Sequence, residues 1–173
     1  MWLAVKRADS VVRGLLDLSR QQELVWKREE PNDLVERTLG LMKHEIQRRR
    51  ITLVRELEEE LPSVTVDGYR IQQVLINLMT NAAQAMRDGG TLTVCTGRSS
   101  RPEGVVITVG DTGPGIPEHV LGHVFEPFFT TKSAEHGTGL GLAVARQLVH
   151  MHGGTLRLEN GPNGACATVL LPL

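Results

Sequence analysis

The sequence predicts an α+β fold: a two-layer α/β sandwich in which one mixed β-sheet carries helices on a single face. Predicted strands occur in adjacent pairs separated by helices, whereas a parallel sheet requires strands and helices to alternate singly. The first half of the chain is poor in glycine and helical in pattern, and the second half is interrupted by glycine-rich turns. With 173 residues, 40% of them hydrophobic, the chain is long enough for one ordinary domain and a short appendage.

An amphipathic helix over residues 3–25 is predicted to precede this sandwich. Apolar residues recur there at spacings of three and four, as at Val5, Ala8 and Val12, while charged residues lie off that stripe. A single helix cannot bury such a stripe alone, so we expect it to need a partner helix. The predicted organisation is a helical segment 1–25, a polar linker 26–31 that ends in proline, and a domain spanning 32–173.

The first half of the domain is predicted to contain two helices and two strands. Asn32 or Asp33 is the expected cap of a helix that ends near Arg49. Strands follow over 51–57 and 63–66. Asp67 then caps a helix over 68–87 whose apolar stripe includes Ile71, Val74 and Leu78.

Two hairpins and two helices are predicted in the second half. Alternating strands over 91–97 and 105–109 form the first hairpin. A short helix over 117–124 and a longer one over 140–152 follow, the latter ended by Gly153-Gly154. Strands over 155–159 and 165–171 form the last hairpin.

Charge and cysteine content exclude several classes of protein. The net charge of −1 argues against nucleic acid or an anionic membrane surface as a partner, since both reward a basic excess. Cys95 and Cys166 lie in apolar alternating stretches and are interpreted as buried free thiols of a reducing compartment. No apolar run approaches the length of a membrane span, and no export signal is present. We therefore expect a cytoplasmic chain without direct membrane contact, although a longer parent protein could be membrane-anchored.

Common phosphate-binding and metal-binding motifs are absent from the sequence. No Gly-Lys pair is present for a Walker loop, and the glycine spacing after Gly137 does not match the dinucleotide fingerprint. Neither a serine-hydrolase elbow nor a zinc motif occurs. His150 and His152 have no third metal ligand nearby, and His152 is better explained as a helix C-terminal residue favoured by the dipole.

Four separated clusters remain: Asn77 with Asn81 on one helix face, Asp111-Thr-Gly-Pro-Gly115 directly after a strand, Phe125-Glu-Pro-Phe-Phe-Thr-Thr-Lys132, and Gly137-Thr-Gly-Leu-Gly141 opening a helix. Each cluster alone is weak, because a polar helix edge or a glycine turn is common. Their order and spacing resemble the N, G1, F and G2 boxes of the GHKL superfamily of ATP-binding domains. The likeness is strongest to catalytic domains of bacterial sensor histidine kinases, especially nitrogen-regulation sensors, and covers residues 30–171. It implies the Bergerat fold, ATP and Mg²⁺ as cofactors, and protein-histidine kinase activity.

The resemblance assigns adenine recognition to Asp111. A carboxylate there accepts a hydrogen bond from the adenine amine, whereas guanine would present a carbonyl to it and be rejected. Gly113 allows close approach to the base and Gly115 frees the chain that follows. Asn81 is implied to be the magnesium ligand, because Mg²⁺ requires oxygen donors, and Asn77 to support the phosphates. Both asparagines are therefore the expected catalytic residues.

The triphosphate is expected at the helix that begins after Gly137. Backbone amides from Gly137, Thr138, Gly139, Leu140 and Gly141 point there, and the helix dipole favours an anion. Residues 116–136 resemble the ATP lid, with Lys132 as a phosphate contact. Three phenylalanines are expected to fix this lid against the core or a neighbouring domain: Phe125, Phe128 and Phe129. Gln84 stands where many sensor kinases carry a basic residue, and Arg87 is a weak substitute for it.

The resemblance also defines the expected partners. ATP-hydrolysing relatives carry a glutamate where this chain has Asn77, which cannot take a proton, so hydrolysis should be slow. In sensor kinases the acceptor is a histidine on a dimerisation hairpin, and residues 3–25 resemble only the second helix of it. We therefore expect a fragment of a homodimeric kinase that serves a response regulator. Two alternatives stay open: a GHKL serine kinase that doubles as an anti-sigma binding module, and a nucleotide-binding scaffold without activity.

Overall fold

The computed structural model of the chain describes residues 23–131 and 137–173. These residues form a two-layer α+β structure, as the sequence predicts. The strands are β1 (Lys27–Glu29), β2 (Ile51–Leu57), β3 (Val64–Val66), β4 (Gly90–Ser100), β5 (Glu103–Asp111), β6 (Thr155–Asn160) and β7 (Ala165–Pro172). The helices are α1 (Pro31–Arg48), α2 (Gly68–Ala85), α3 (Glu118–Leu121) and α4 (Gly141–Met151).

The main sheet has five strands in the order β2-β4-β5-β7-β6. Strands β2 and β4 are parallel, and every other neighbouring pair is antiparallel, so the predicted mixed sheet is confirmed. Strand β5 therefore lies at the centre, and Asp111, its last residue, ends between β4 and β7.

Helices α1, α2 and α4 pack on one face of this sheet. Alternate strand residues such as Leu92, Val94 and Ile107 are fully buried toward those helices. Helix α2 lies between α1 and α4, and its apolar stripe is buried along its length. The position of α2 over the sheet fixes where its polar edge, with Asn77 and Asn81, emerges.

Asp67 begins α2 as predicted. Its side chain accepts a hydrogen bond from the Arg70 backbone amide at 3.2 Å, which is an N-cap. The helix ends at Ala85, two residues before the predicted end.

The prediction that Asn32 or Asp33 caps α1 is wrong. The helix starts with Pro31 after Glu30, and no side chain caps it. The Asn32 amide instead donates to the Glu58 carbonyl at 2.8 Å and accepts from the Thr96 hydroxyl at 2.7 Å. Asn32 thus joins the start of the helix to the edge of the sheet.

The segment predicted as a linker, 26–31, contains β1, which pairs with β3 in a separate two-stranded sheet. Residues 23–26 are not helical, so the predicted helix does not extend through residue 25. The rest of that prediction, over residues 3–22, lies outside the described residues. The chain therefore enters the domain as an ordered strand rather than as a free linker.

Both cysteines are free, as predicted, but they are half-buried rather than buried. They lie on the sheet face opposite the helices, because their strand neighbours Val94 and Ala167 point toward the core. Burial, followed by the hydrogen bond with Glu56, raises the pKa of Cys95 to about 11. Burial likewise raises the pKa of Cys166. Both thiols are therefore protonated and poorly nucleophilic near neutral pH.

Within the described residues, no helix has the length and hydropathy that crossing a lipid bilayer requires.

Candidate functional site

Asp111 is held at the end of the central strand with one carboxylate oxygen already occupied. The residue is only 9% exposed. Its Oδ1 accepts hydrogen bonds from the backbone amides of Gly113 at 2.8 Å and Ala165 at 3.3 Å. Two donors on one oxygen fix the plane of the carboxylate, and no described residue donates to Oδ2, which can accept a hydrogen bond from a ligand.

Gly113 brings the loop after β5 against the C-terminal end of α2. A Cβ atom at this position would lie 2.9 Å from Asp111 Oδ1 and 3.1 Å from the Ala85 methyl group. A larger residue would therefore displace either the carboxylate or the helix. The close approach predicted for Gly113 is present, although its role toward a base remains a prediction.

Asn77 joins α2 to the start of α4. Its amide Nδ2 donates to the Gly141 carbonyl at 3.2 Å, and a Cβ atom at Gly141 would be in ordinary contact with the same amide. Asn81 lies one turn further along α2 and is half-buried. The structure thus places Asn77 beside the predicted glycine cluster, with Asn81 one helical turn away.

One face of α2 connects the two halves of the site. Asn77, Asn81 and Ala85 follow at intervals of four residues, so they lie on the same face. Gly141 contacts the first of these residues and Gly113 the last. At a rise of 1.5 Å per residue this face spans about 12 Å, so Gly141 and Gly113 lie at its opposite ends.

Gly139 stands where the chain turns into α4 and adopts a left-handed conformation, with φ of 68°. Its carbonyl accepts a hydrogen bond from the Phe128 amide at 2.9 Å, and a Cβ atom would lie 2.6 Å from Phe128 Cα. Leu140 is buried and packs in the core, where it precedes the first helical residue. Leu140 therefore anchors the α4 terminus rather than facing a ligand with its side chain.

The predicted lid, 116–136, is partly built into the domain. Val120 and Val124 are buried, and Phe125 packs against the core with the Arg146 guanidinium 4.9 Å above its ring. Phe128 differs: it has a positive φ of 68° and its side chain is 56% exposed. Of the three phenylalanines expected to fix the lid, Phe125 does so and Phe128 does not. Lys132 lies outside the described residues, so its predicted phosphate contact stays a prediction.

His152 has a role that the sequence did not reveal. Its ring, 4% exposed, bonds the Leu148 carbonyl through Nδ1 at 2.7 Å, and its Nε2 accepts from the Asp67 amide at 3.0 Å. Because one nitrogen accepts, this geometry requires a neutral ring rather than a cation at the helix dipole. His152 thereby ties the end of α4 to the start of α2, and Trp26 packs edge-on against it.

Sequence reasoning also missed the residues that support Asp111 from β7. By its local pattern, the stretch Asn160-Gly-Pro-Asn-Gly164 indicates only the turn of the predicted last hairpin. A Cβ atom at Gly164 would lie 2.7 Å from Asp111 Oδ1. Only the pairing of β5 with β7 places this turn beside Asp111, so no local signal could have found the contact.

Comparison with known proteins agrees with this geometry. Residues 66–173 match the family described as "Histidine kinase-, DNA gyrase B-, and HSP90-like ATPase". The chain belongs to this family. The match begins at β3 and includes every described residue of the site.

Two relatives with similar sequences are named as histidine kinases. Over 168 residues the chain is 38% identical to the sensor histidine kinase ZraS of Salmonella typhi, covering 96% of the chain and 36% of that protein. It is 35% identical over 175 residues to the histidine-protein kinase AtoS of Escherichia coli K12, covering 99% of the chain and 28% of AtoS. The chain therefore spans about a third of the length of these relatives.

The solved catalytic domain of histidine kinase ThkA superposes with a TM-score of 0.75 and 33% identity, covering 87% of this chain and 96% of that domain. A structure of ThkA in complex with the response regulator protein TrrA gives a TM-score of 0.83 at 30% identity, covering 98% of this chain and 48% of ThkA.

Proposed function

We propose that this chain is the ATP-binding catalytic domain of a sensor histidine kinase. In this proposal it transfers the γ-phosphate of Mg-ATP to a histidine on a helical hairpin that is not among the residues of this sequence. The observation that carries the proposal is the face of α2, which joins a buried, oriented carboxylate at one end to a glycine-rich helix N-terminus at the other. We call these the base end (Asp111, Gly113 and Ala165) and the phosphate end (Asn77 and Gly137–Gly141).

The base end accounts for adenine binding. Since Oδ1 of Asp111 is held by two backbone amides, Oδ2 is the oxygen that would accept from the exocyclic amine of adenine. Guanine has a carbonyl at that position, and two acceptors facing each other are unfavourable in a buried pocket. The domain should therefore prefer ATP to GTP.

The phosphate end accounts for binding of the polyphosphate. Backbone amides at the start of α4 and its helix dipole favour an anion there. Asn81 would hold Mg²⁺ through its amide oxygen, and the ion would neutralise phosphate charge during transfer. The donor fits Mg²⁺, because the Asn81 amide supplies a hard oxygen without adding negative charge beside the triphosphate, and the ion would take its remaining ligands from phosphates and waters.

Asn77 supports phosphotransfer over hydrolysis. Its amide donates to the Gly141 carbonyl and cannot remove a proton from water. We propose that it fixes α2 against the α4 terminus, so that the phosphates and the metal ligand keep their relative positions.

The names of the relatives support a histidine rather than a serine acceptor. We further propose that the predicted helix of segment 1–25, without its non-helical end from residue 23, belongs to the dimerisation hairpin of a homodimeric parent. The catalytic domain would then include β1, which pairs with β3, as well as the predicted 32–173. The ThkA–TrrA complex supports a response regulator as the next phosphate acceptor. The two free cysteines and the proposed use of ATP support a cytoplasmic location.

Calorimetry with Mg-ATP and labelling with γ-labelled ATP test the function. We expect the chain to bind Mg-ATP and to remain unlabelled when alone. Addition of a separate helical hairpin carrying a phosphoacceptor histidine should give acid-labile phosphate on the hairpin. Failure to bind Mg-ATP would refute the proposal, and acid-stable label on serine would favour the serine-kinase alternative.

A further inference from the structure

The turn between β6 and β7, residues 160–165, contacts both Asp111 and the chain that leaves it. A backbone hydrogen bond from the Gly161 amide to the Gly164 carbonyl, at 2.8 Å, closes the turn. On one side of the turn, Ala165 donates to Asp111. On the other side, Asn160 reaches across to the first residues of the lid.

Asn160 holds the backbone of Ile116 with two hydrogen bonds. Its Oδ1 accepts from the Ile116 amide at 2.8 Å, and its Nδ2 donates to the Ile116 carbonyl at 2.7 Å. The side-chain amide thus pairs with one residue as a neighbouring strand would. Only a group that donates and accepts at once can make both bonds, and among the short polar side chains asparagine does so in one plane.

The residue before Ile116 is shaped by the same contact. Gly115 has a left-handed φ of 72°, and a Cβ atom there would lie 2.9 Å from Asn160 Oδ1. Any other residue would be strained and would push the Asn160 amide away. Five residues after the end of β5, the chain direction is therefore set by the last residue of β6.

We propose that Asn160 is a positioning residue for nucleotide binding. It fixes the start of the lid at Ile116, while the neighbouring Ala165 fixes the carboxylate of Asp111. One turn thereby keeps the carboxylate expected to bind adenine at a constant distance from the first residue of the lid. This inference rests on the proposed function, since it assigns a role to a residue outside the four sequence clusters.

The test compares Asn160→Ala and Asn160→Asp with the control Asn163→Ala. Asn163 lies in the same turn, is exposed, and its side chain makes no hydrogen bond with any described residue. Both Asn160 variants should weaken Mg-ATP binding about three- to tenfold, the range expected for the loss of hydrogen bonds at a partly exposed site. Asn160→Asp keeps the acceptor but loses the donor, so it should not restore affinity.

Three further measurements separate positioning from a general loss of structure. The melting temperature without nucleotide should match that of Asn163→Ala, because Asn160 lies at the surface. In the hairpin-labelling assay KM for ATP should rise about as much as Kd, with kcat within about twofold. Hydrogen exchange at the Ile116 amide should be faster in both Asn160 variants.

Several outcomes would overturn the inference. Equal ATP affinity in the wild type, Asn160→Ala and Asn163→Ala would remove Asn160 from nucleotide positioning while leaving the proposed function intact. Equal losses in all three variants would assign the effect to the turn as a whole. If the wild type did not bind ATP, the proposed function would fail and the role of Asn160 with it.

Discussion

At the base end a single carboxylate is held by two backbone amides, one from the loop that follows it and one from a neighbouring strand. At the phosphate end the expected ligand contacts are backbone amides of one continuous segment. Asp111 is oriented by Gly113 and by Ala165 of a neighbouring strand. Gly139 and Gly141 depend on one backbone bond to Phe128 and one side-chain bond from Asn77. In the proposed function the base end would therefore select one ligand group through a fixed acceptor. The phosphate end would bind charge through the polarity of a helix terminus, which does not distinguish one phosphate ester from another.

The largest effect is expected from a substitution that disrupts the phosphate end alone. Gly139→Ala places a methyl group against the Phe128 backbone and forces alanine into a left-handed conformation, at a combined cost of about 2–4 kcal/mol. ATP affinity should fall at least about tenfold, while adenosine affinity, measured by displacement of a fluorescent ATP analogue, should change little.

Gly122→Ala is the matched control for that variant. Gly122 lies in the lid with a right-handed φ of −65° and open space around its Cβ position. The Gly122→Ala variant should bind ATP with the affinity of the wild type. An equal loss of adenosine and ATP affinity in Gly139→Ala would show that the two ends are not independent.

The second-largest effect is expected from a substitution that disrupts the base end. Asp111→Asn should weaken binding of ATP, ADP and adenosine by the same amount, about 1–3 kcal/mol, because all three share the lost contact with the adenine amine. Calorimetry with the three ligands measures this. Unchanged affinities would exclude Asp111 from base recognition.

A substitution away from both ends provides a reference for stability. Gly40 lies on the exposed side of α1, and nothing is within 4 Å of its Cβ position. Gly40→Ala should raise the free energy of unfolding by about 0.5–1 kcal/mol, because alanine loses less backbone entropy in a helix. Urea denaturation measures the gain, and nucleotide affinity should not change. A loss of stability would contradict the open surroundings of this position.

The smallest expected effect is a decrease in the free energy of unfolding at acidic pH. The hydrogen bond from Arg49, and after it that from Arg48, lowers the pKa of Glu45 below its ordinary value of 4.5. The stabilisation is therefore complete above pH 4.5 and is lost as the pH falls through the lower pKa of the folded state. Glu45→Gln should lower the free energy of unfolding by about 0.5 kcal/mol at neutral pH.

The stability of Glu45→Gln should also fall less on acidification than that of the wild type. Glu59→Gln, which changes an exposed carboxylate, is the control, and urea denaturation at pH 3.5 and 7 would compare the three proteins. An identical acid response in Glu45→Gln and the wild type would contradict the prediction.

Local patterns predicted most elements and the members of the site. Apolar periodicity located α2 and α4, and the side chain of Asp67 caps α2 as expected. The predicted helix cap at Asn32 does not form, because its side chain makes hydrogen bonds with Glu58 and Thr96 instead of with the first turn of its own helix. Strand β1 was missed because its residues are polar and its pairing partner lies far along the chain.

By itself, the sequence determined which residue types form the candidate site, because helix spacing and glycine turns are local properties that the chain carries in any context. Only the tertiary structure decided how those residues are held. The contacts of Asn160 with Ile116, of Ala165 with Asp111 and of His152 with Asp67 join segments 44, 54 and 85 residues apart. Such contacts depend on the pairing of β5 with β7 and on the packing of α4 beside α2, which no short stretch of the chain encodes.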